Sequence, residues 1–177
     1  MFNLFIATSS FGKLDDRPIS ILKNANLKIT FNKTGEKIDT SSKISMLRKF
    51  DGIIAGTEIY NKEILEELKS LKTISRLGVG LDNLDINFAQ EKKIKIFKTK
   101  TTPAPAVAEL SLGLMLDLAR KISYQNYQLK KGIWKKEMGT LIQGKTLGII
   151  GLGTIGKSLV SLVQGFNLKI LAYDLYK

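Results

Sequence analysis

Gly151, Gly153 and Gly156, set in the run Gly-Leu-Gly-Thr-Ile-Gly, have the spacing to cradle a pyrophosphate, and Asp174 lies eighteen positions beyond the last of them. The chemistry such a set offers is anion binding by the main chain. Gly151 permits a tight turn off a strand, Gly153 lets the backbone come close to a pyrophosphate, and Gly156 lets a helix pack tightly against the sheet. The phosphates would then face unpaired N–H groups at the positive end of that helix. Asp174 would accept hydrogen bonds from the adenosine ribose hydroxyls and repel a 2′-phosphate, so the pattern predicts NAD rather than NADP.

Glycine turns arise for many reasons, and the flanking elements decide between them. An apolar run over residues 146–150 predicts a strand entering the turn. Leu159, Leu162, Val163 and Phe166 follow at helical spacing and predict one apolar helix face. A second apolar run then ends in Asp174. Strand, turn, helix, strand and acid together give the motif its specificity.

The residues before this unit alternate strand and helix patterns. Strands are predicted over residues 2–7, 27–31, 51–55, 73–77 and 94–97. Between them, Pro18 opens a helix through Asn24, and a turn around Gly35 leads to a helix over 40–49. Asn61 caps a helix containing Ile64, Leu65 and Leu68, and Asp85 caps another as far as Lys92. Such alternation predicts a parallel sheet covered on both faces. The fold class is therefore α/β, with a flavodoxin-like domain over residues 1–100 and the first part of a Rossmann domain over 101–177. Residues 106–119 are apolar nearly all round, interrupted by Glu109, Ser111 and Asp117, so that helix is expected to be buried on more than one side. A domain junction or a homodimer interface would bury it. A further helix is predicted over 123–131, and Trp134 is expected to pack.

Composition narrows the chemistry. The chain of 177 residues has 44% hydrophobic residues, ample for a core. It has neither cysteine nor histidine, which excludes disulfides, thiol catalysis and Cys/His metal sites. The net charge of +12 admits a nucleic-acid binder. Yet arginine is limited to Arg17, Arg48, Arg76 and Arg120, and the lysine runs carry no interleaved stacking aromatics. A lysine-rich solvated surface is the expected reading, with no nucleic-acid partner. The N-terminal residues lack a basic region and a long apolar run, so a cytoplasmic protein with no membrane partner is expected.

Two further motifs give a family. Ile74-Ser-Arg76-Leu-Gly78-Val79-Gly80-Leu-Asp82-Asn83-Leu-Asp85 and Ala106-Val-Ala-Glu109-Leu-Ser-Leu-Gly113, followed by the turn at Gly151, resemble the NAD-dependent D-2-hydroxyacid dehydrogenases. The resemblance runs along the whole chain and is nearest to the phosphoglycerate dehydrogenase branch. It implies that Val79 and Gly80 lend N–H groups to a substrate carboxylate, with Gly78 allowing the approach and Arg76 placed to grip a phosphorylated substrate. It also implies that Val79 borders the nicotinamide and that Thr154 and Ile155 offer main-chain contacts to the pyrophosphate. The substrate implied is 3-phospho-D-glycerate or a related D-2-hydroxy acid. Against the phosphorylated acid, residues 55–57 read Ala-Gly-Thr, where some members using such acids have a basic residue.

Members of the family continue past the ribose-binding acid with four more strands, which carry their catalytic arginine, carboxylate and histidine. The resemblance thus implies a truncated member, with no catalytic residue in this chain and no turnover of its own. The alternative expectation is a non-catalytic NAD-binding or dimerisation module.

Overall fold

The computed structural model describes residues 1–33, 39, 41 and 44–176. The chain forms two compact units, Met1–Thr101 and Thr102–Lys177. The turn expected at Gly35, and Thr40, Ser42 and Lys43 of the expected second helix, lie outside the described residues.

In the first unit the strands are β1 (Phe2–Ile6), β2 (Leu27–Phe31), β3 (Gly52–Ala55), β4 (Thr73–Arg76) and β5 (Lys95–Lys98). The helices between them are α1 (Arg17–Asn24), α2 (Ile44–Leu47), α3 (Lys62–Glu67) and α4 (Ile86–Glu91). All strand pairs are parallel, in the order β2-β1-β3-β4-β5. The fold is therefore the α/β, flavodoxin-like parallel sheet expected from the alternating patterns. Because the chain runs outward from β1 to β2 and then crosses back to β3, the direction of winding reverses between β1 and β3. Loops diverge there and leave a crevice at the carboxyl ends of the strands.

Side-chain alternation explains how this sheet is covered. Phe5, Ile53 and Ile74 belong to one apolar cluster, with Phe50, Leu65 and Phe88 from the connecting segments. Leu4, Ile6 and Ile54 belong to a second, with Leu22, Leu27 and Ile29. Neighbours along β1 and β3 thus join different clusters, the period-two signature of a sheet packed on both faces. The short helices begin where side chains satisfy their first N–H groups: Asn61 Oδ1 accepts from Ile64 N at 3.2 Å, and Asp85 Oδ1 from Phe88 N at 3.0 Å.

Asp51 ties the opposite end of the sheet. Its carboxylate accepts from Asn3 N at 2.9 Å and from Lys72 Nζ at 2.8 Å. The Asn3 N–H, and after it the Lys72 ammonium, hold this carboxyl below its ordinary range. A depressed folded-state value means that the stabilisation is present above about pH 4 and is lost as the pH falls through the folded value. Asp51→Ala is expected to cost about 1–2 kcal/mol, because the Asn3 N–H loses its acceptor. Urea unfolding at pH 7 and pH 3 checks this: the difference between wild type and variant should shrink at the lower pH.

The second unit holds α5 (Ala104–Arg120), α6 (Ile122–Lys130), β6 (Thr146–Ile150), α7 (Thr154–Leu162) and β7 (Lys169–Tyr173). Helix α5 packs on α7, and β6 pairs with β7 in parallel. Lys121, at φ +56°, breaks α5 from α6, and Asp117 bridges the break by accepting from Ser123 N at 2.6 Å and Ser123 Oγ at 2.7 Å.

Ala104 and Ala108 of α5 are buried, while Leu110, Leu114 and Leu118 are exposed. Two expectations for this unit need correction. Trp134 is 89% exposed rather than packed. The helix expected to reach Phe166 ends at Leu162 and gives way to a 3-10 turn over Gln164–Phe166, with Val163 buried between them.

Candidate functional site

The glycine turn stands between β6 and α7. Gly151 ends the strand at φ +94°, a conformation that is costly for a residue with a Cβ. Gly156, in the first turn of α7, is buried so closely against the Gly151 carbonyl that a Cβ would collide with that oxygen. Gly153 has neither constraint. Its backbone is extended, at φ −72°, and the volume a Cβ would occupy is open. Backbone conformation therefore accounts for Gly151 and packing for Gly156, and neither explains Gly153.

Gly153 is also the N-cap of α7, and no side chain caps that helix. Among the described residues, the N–H groups of Thr154 and Ile155 are paired with no acceptor. A helix terminus left this way presents donors and the positive end of its dipole.

Asp174 directly follows β7, and its carboxylate turns back onto the glycine turn. Oδ2 accepts from Leu152 N at 2.5 Å and Oδ1 from Tyr176 N at 2.9 Å. These N–H groups, Tyr176 first and then Leu152, hold the carboxyl below its ordinary range, so it is ionised at neutral pH. The structure thus brings Gly151, Gly153, Thr154, Ile155, Gly156 and Asp174 together around one turn. An ionised carboxylate retains lone pairs for hydroxyl donors even with two N–H groups bound.

The other candidate residues cluster in the first unit, where β4 ends. Gly78, at φ +150°, donates to Thr99 Oγ1 at 3.0 Å and accepts from Thr99 N at 3.1 Å. The Arg76 guanidinium lies across it, with Nη1 donating to the Leu77 carbonyl, so that a Cβ on Gly78 would strike the guanidinium. Arg76 Nε is buried without a partner. Beyond Gly78, the N–H groups of Val79 and Gly80 have no acceptor among the described residues. Two adjacent free donors at the end of a parallel strand can bind a carboxylate.

Sequence reasoning passed over three residues here. Thr99 anchors Gly78 from the end of β5. Asn83 Nδ2 donates to the Gly56 and Glu58 carbonyls, at 3.3 and 2.5 Å, and so joins the loop after β3 to the loop after β4. Glu58 is only 3% exposed, and its Oε2 accepts from Gly56 N at 2.6 Å. The one signal available was an acid placed three residues past an apolar strand. Among the described residues, no group of three or more acidic, His or Cys side chains is placed to hold a metal ion. No described helix is long and apolar enough to cross a membrane.

Comparison with known proteins gives these clusters a context. Residues 6–167 match the family model for the D-isomer specific 2-hydroxyacid dehydrogenase catalytic domain. A hydroxypyruvate reductase of Thermotoga maritima is 38% identical over 91% of this chain and 53% of its own length. A D-3-phosphoglycerate dehydrogenase of Methanocaldococcus jannaschii is 41% identical over 69% of this chain and 24% of its own. The chain thus spans about half or less of the curated relatives it matches. The NAD+-bound crystal structure of 3-phosphoglycerate dehydrogenase from Entamoeba histolytica superposes with a TM-score of 0.73 at 28% identity, over 99% of this chain and 55% of that one. With the family model covering most of its length, the chain belongs to the D-isomer specific 2-hydroxyacid dehydrogenase family.

Proposed function

We propose that this chain supplies the carboxylate-binding lobe and the first nucleotide-binding unit of an NAD-dependent oxidoreductase that acts on the CH–OH of a 2-hydroxy acid, in the manner of phosphoglycerate dehydrogenase. The observation that carries the reading is the Asp174 carboxylate hydrogen-bonded to Leu152 N inside a glycine turn whose Gly153 face is open. Thr154 and Ile155 N–H groups would meet the pyrophosphate, and Asp174 the adenosine ribose. NAD, when bound, supplies the hydride acceptor. Val79 and Gly80 would hold the substrate carboxylate through their N–H groups, with Val79 also bordering the nicotinamide.

The proton that accompanies hydride transfer needs a group that titrates near neutral pH, and these 177 residues contain no histidine. The polypeptide is therefore expected to bind NAD without turning over any 2-hydroxy acid. Calorimetric titration with NAD, followed by an assay for NADH formation with a panel of such acids, tests both parts. Absence of NAD binding overturns the cofactor assignment, and robust NADH formation overturns the assignment of catalysis to residues outside this chain.

A second reading, a non-catalytic NAD-binding or dimerisation module, draws on the exposed stripe Leu110, Leu114 and Leu118, spaced one helical turn apart on α5. A second copy of the chain would cover it. Sedimentation analysis should show a dimer that Leu114→Lys converts to monomer, while a wild-type monomer at micromolar concentration would remove this reading.

A further inference from the structure

Where β1, β3 and β4 end, the first unit has a cleft of about 270 Å³. Its polar lining comes from Thr8, Ser9, Ser10, Thr57, Glu58 and Arg76, and the last two are its only charged members among the described residues. The position is the reversal point of the sheet, where open parallel sheets take their ligands. The cleft adjoins Leu77, directly before the Gly78-Val79-Gly80 turn proposed above to hold a substrate carboxylate. Whatever extends from that carboxylate has this cleft beside it.

Charge decides what the cleft accepts. Arg76 balances one negative charge, which a 2-hydroxy acid already supplies. A phosphate on the same substrate would add about two more negative charges near neutral pH. Among the described residues no second cation lines the cleft, and the only other charged side chain there is Glu58. Glu58 cannot swing aside freely. Its Oε2 is held by Gly56 N at 2.6 Å, its own carbonyl by Asn83 Nδ2 at 2.5 Å, and it is 3% exposed. A carboxylate fixed this way, next to several hydroxyls, suits a hydroxyl-bearing end, because it accepts O–H donors and repels anions.

We propose that this cleft selects a short, unphosphorylated hydroxy acid carrying a distal hydroxyl, with Glu58 as the residue that excludes a second anionic group. The inference rests on the reading that Val79 and Gly80 bind the substrate carboxylate. It goes further by choosing between the phosphorylated and unphosphorylated acids that reading leaves open.

The test is an NMR titration of the full chain with D-glycerate and with 3-phospho-D-glycerate, following the Val79 and Gly80 amides. The wild type should bind D-glycerate at least about tenfold more tightly, as expected for one unbalanced charge pair near a protein surface. Glu58→Gln retains an acceptor for Gly56 N but loses the charge, and it should reduce that preference by about tenfold. Equal or tighter binding of the phosphorylated acid by the wild type overturns the selectivity while leaving the carboxylate site intact. A folded Glu58→Gln with an unchanged preference removes Glu58 as its cause. If neither acid shifts those amides, the carboxylate site itself fails. The wild-type comparison needs no variant, so the proposal stays open to refutation even if Glu58→Gln does not fold.

Discussion

Asp174→Ala is expected to weaken NAD binding by about tenfold to a hundredfold, the loss of one or two hydrogen bonds to a charged acceptor. The variant should also narrow the gap between NAD and NADP, since the repulsion of a 2′-phosphate goes with the carboxylate. Titration of wild type and variant with both nucleotides gives the two quantities separately. The pH dependence follows from the depressed carboxyl. Because the Tyr176 and Leu152 N–H groups hold it below its ordinary range, Asp174 should impose no change on NAD affinity between pH 5 and 8. Its contribution to stability is present above the unfolded value, about pH 4, and is lost as the pH falls through the lower folded value. An unchanged NAD affinity in Asp174→Ala would remove Asp174 from the site, whatever its hydrogen bonds to the turn.

The contrast between the two clusters shows what kind of site a sequence displays. Gly151 to Asp174 was legible because its parts are consecutive: one strand, one turn, one helix and one strand fix their geometry with little outside help. The cleft at the ends of β1, β3 and β4 was not. Thr8 follows β1, Thr57 and Glu58 follow β3 and Arg76 ends β4, and only the order β2-β1-β3-β4-β5 brings those strand ends side by side. Nothing in local periodicity specifies that order. Asn83 is a similar case, since its role lies in bonds to carbonyls 25 and 27 residues away. For α5, composition revealed an apolar surface but not its cover: Ala104 and Ala108 are buried, while Leu110, Leu114 and Leu118 face outward. The expected packing of Trp134 failed for the same reason, as apolar character alone does not say where the complementary surface lies.

The three glycines of the turn are expected to respond to the same substitution in different ways, and the difference separates folding from binding. In Gly156→Ala the new methyl, fixed on its Cα, meets the main-chain carbonyl of Gly151, so neither side can yield by rotating a side chain. Overpacking of this kind costs about 3 kcal/mol, and the second unit should lose thermal stability before any ligand is added. Gly151→Ala is strained by its positive φ and should cost about 1–2 kcal/mol. Gly153→Ala meets nothing within the chain, and as an N-cap replacement it should cost less than about 1 kcal/mol. Its effect belongs to the ligand: a methyl standing where the pyrophosphate approaches should lower NAD affinity about tenfold to a hundredfold while the melting curve barely moves. Thermal melts and NAD titrations on Gly153→Ala and Gly156→Ala together decide the matter. Wild-type NAD affinity in a stable Gly153→Ala would mean that the open volume above Gly153 is not where the cofactor lies, and the turn would then be a structural corner between β6 and α7.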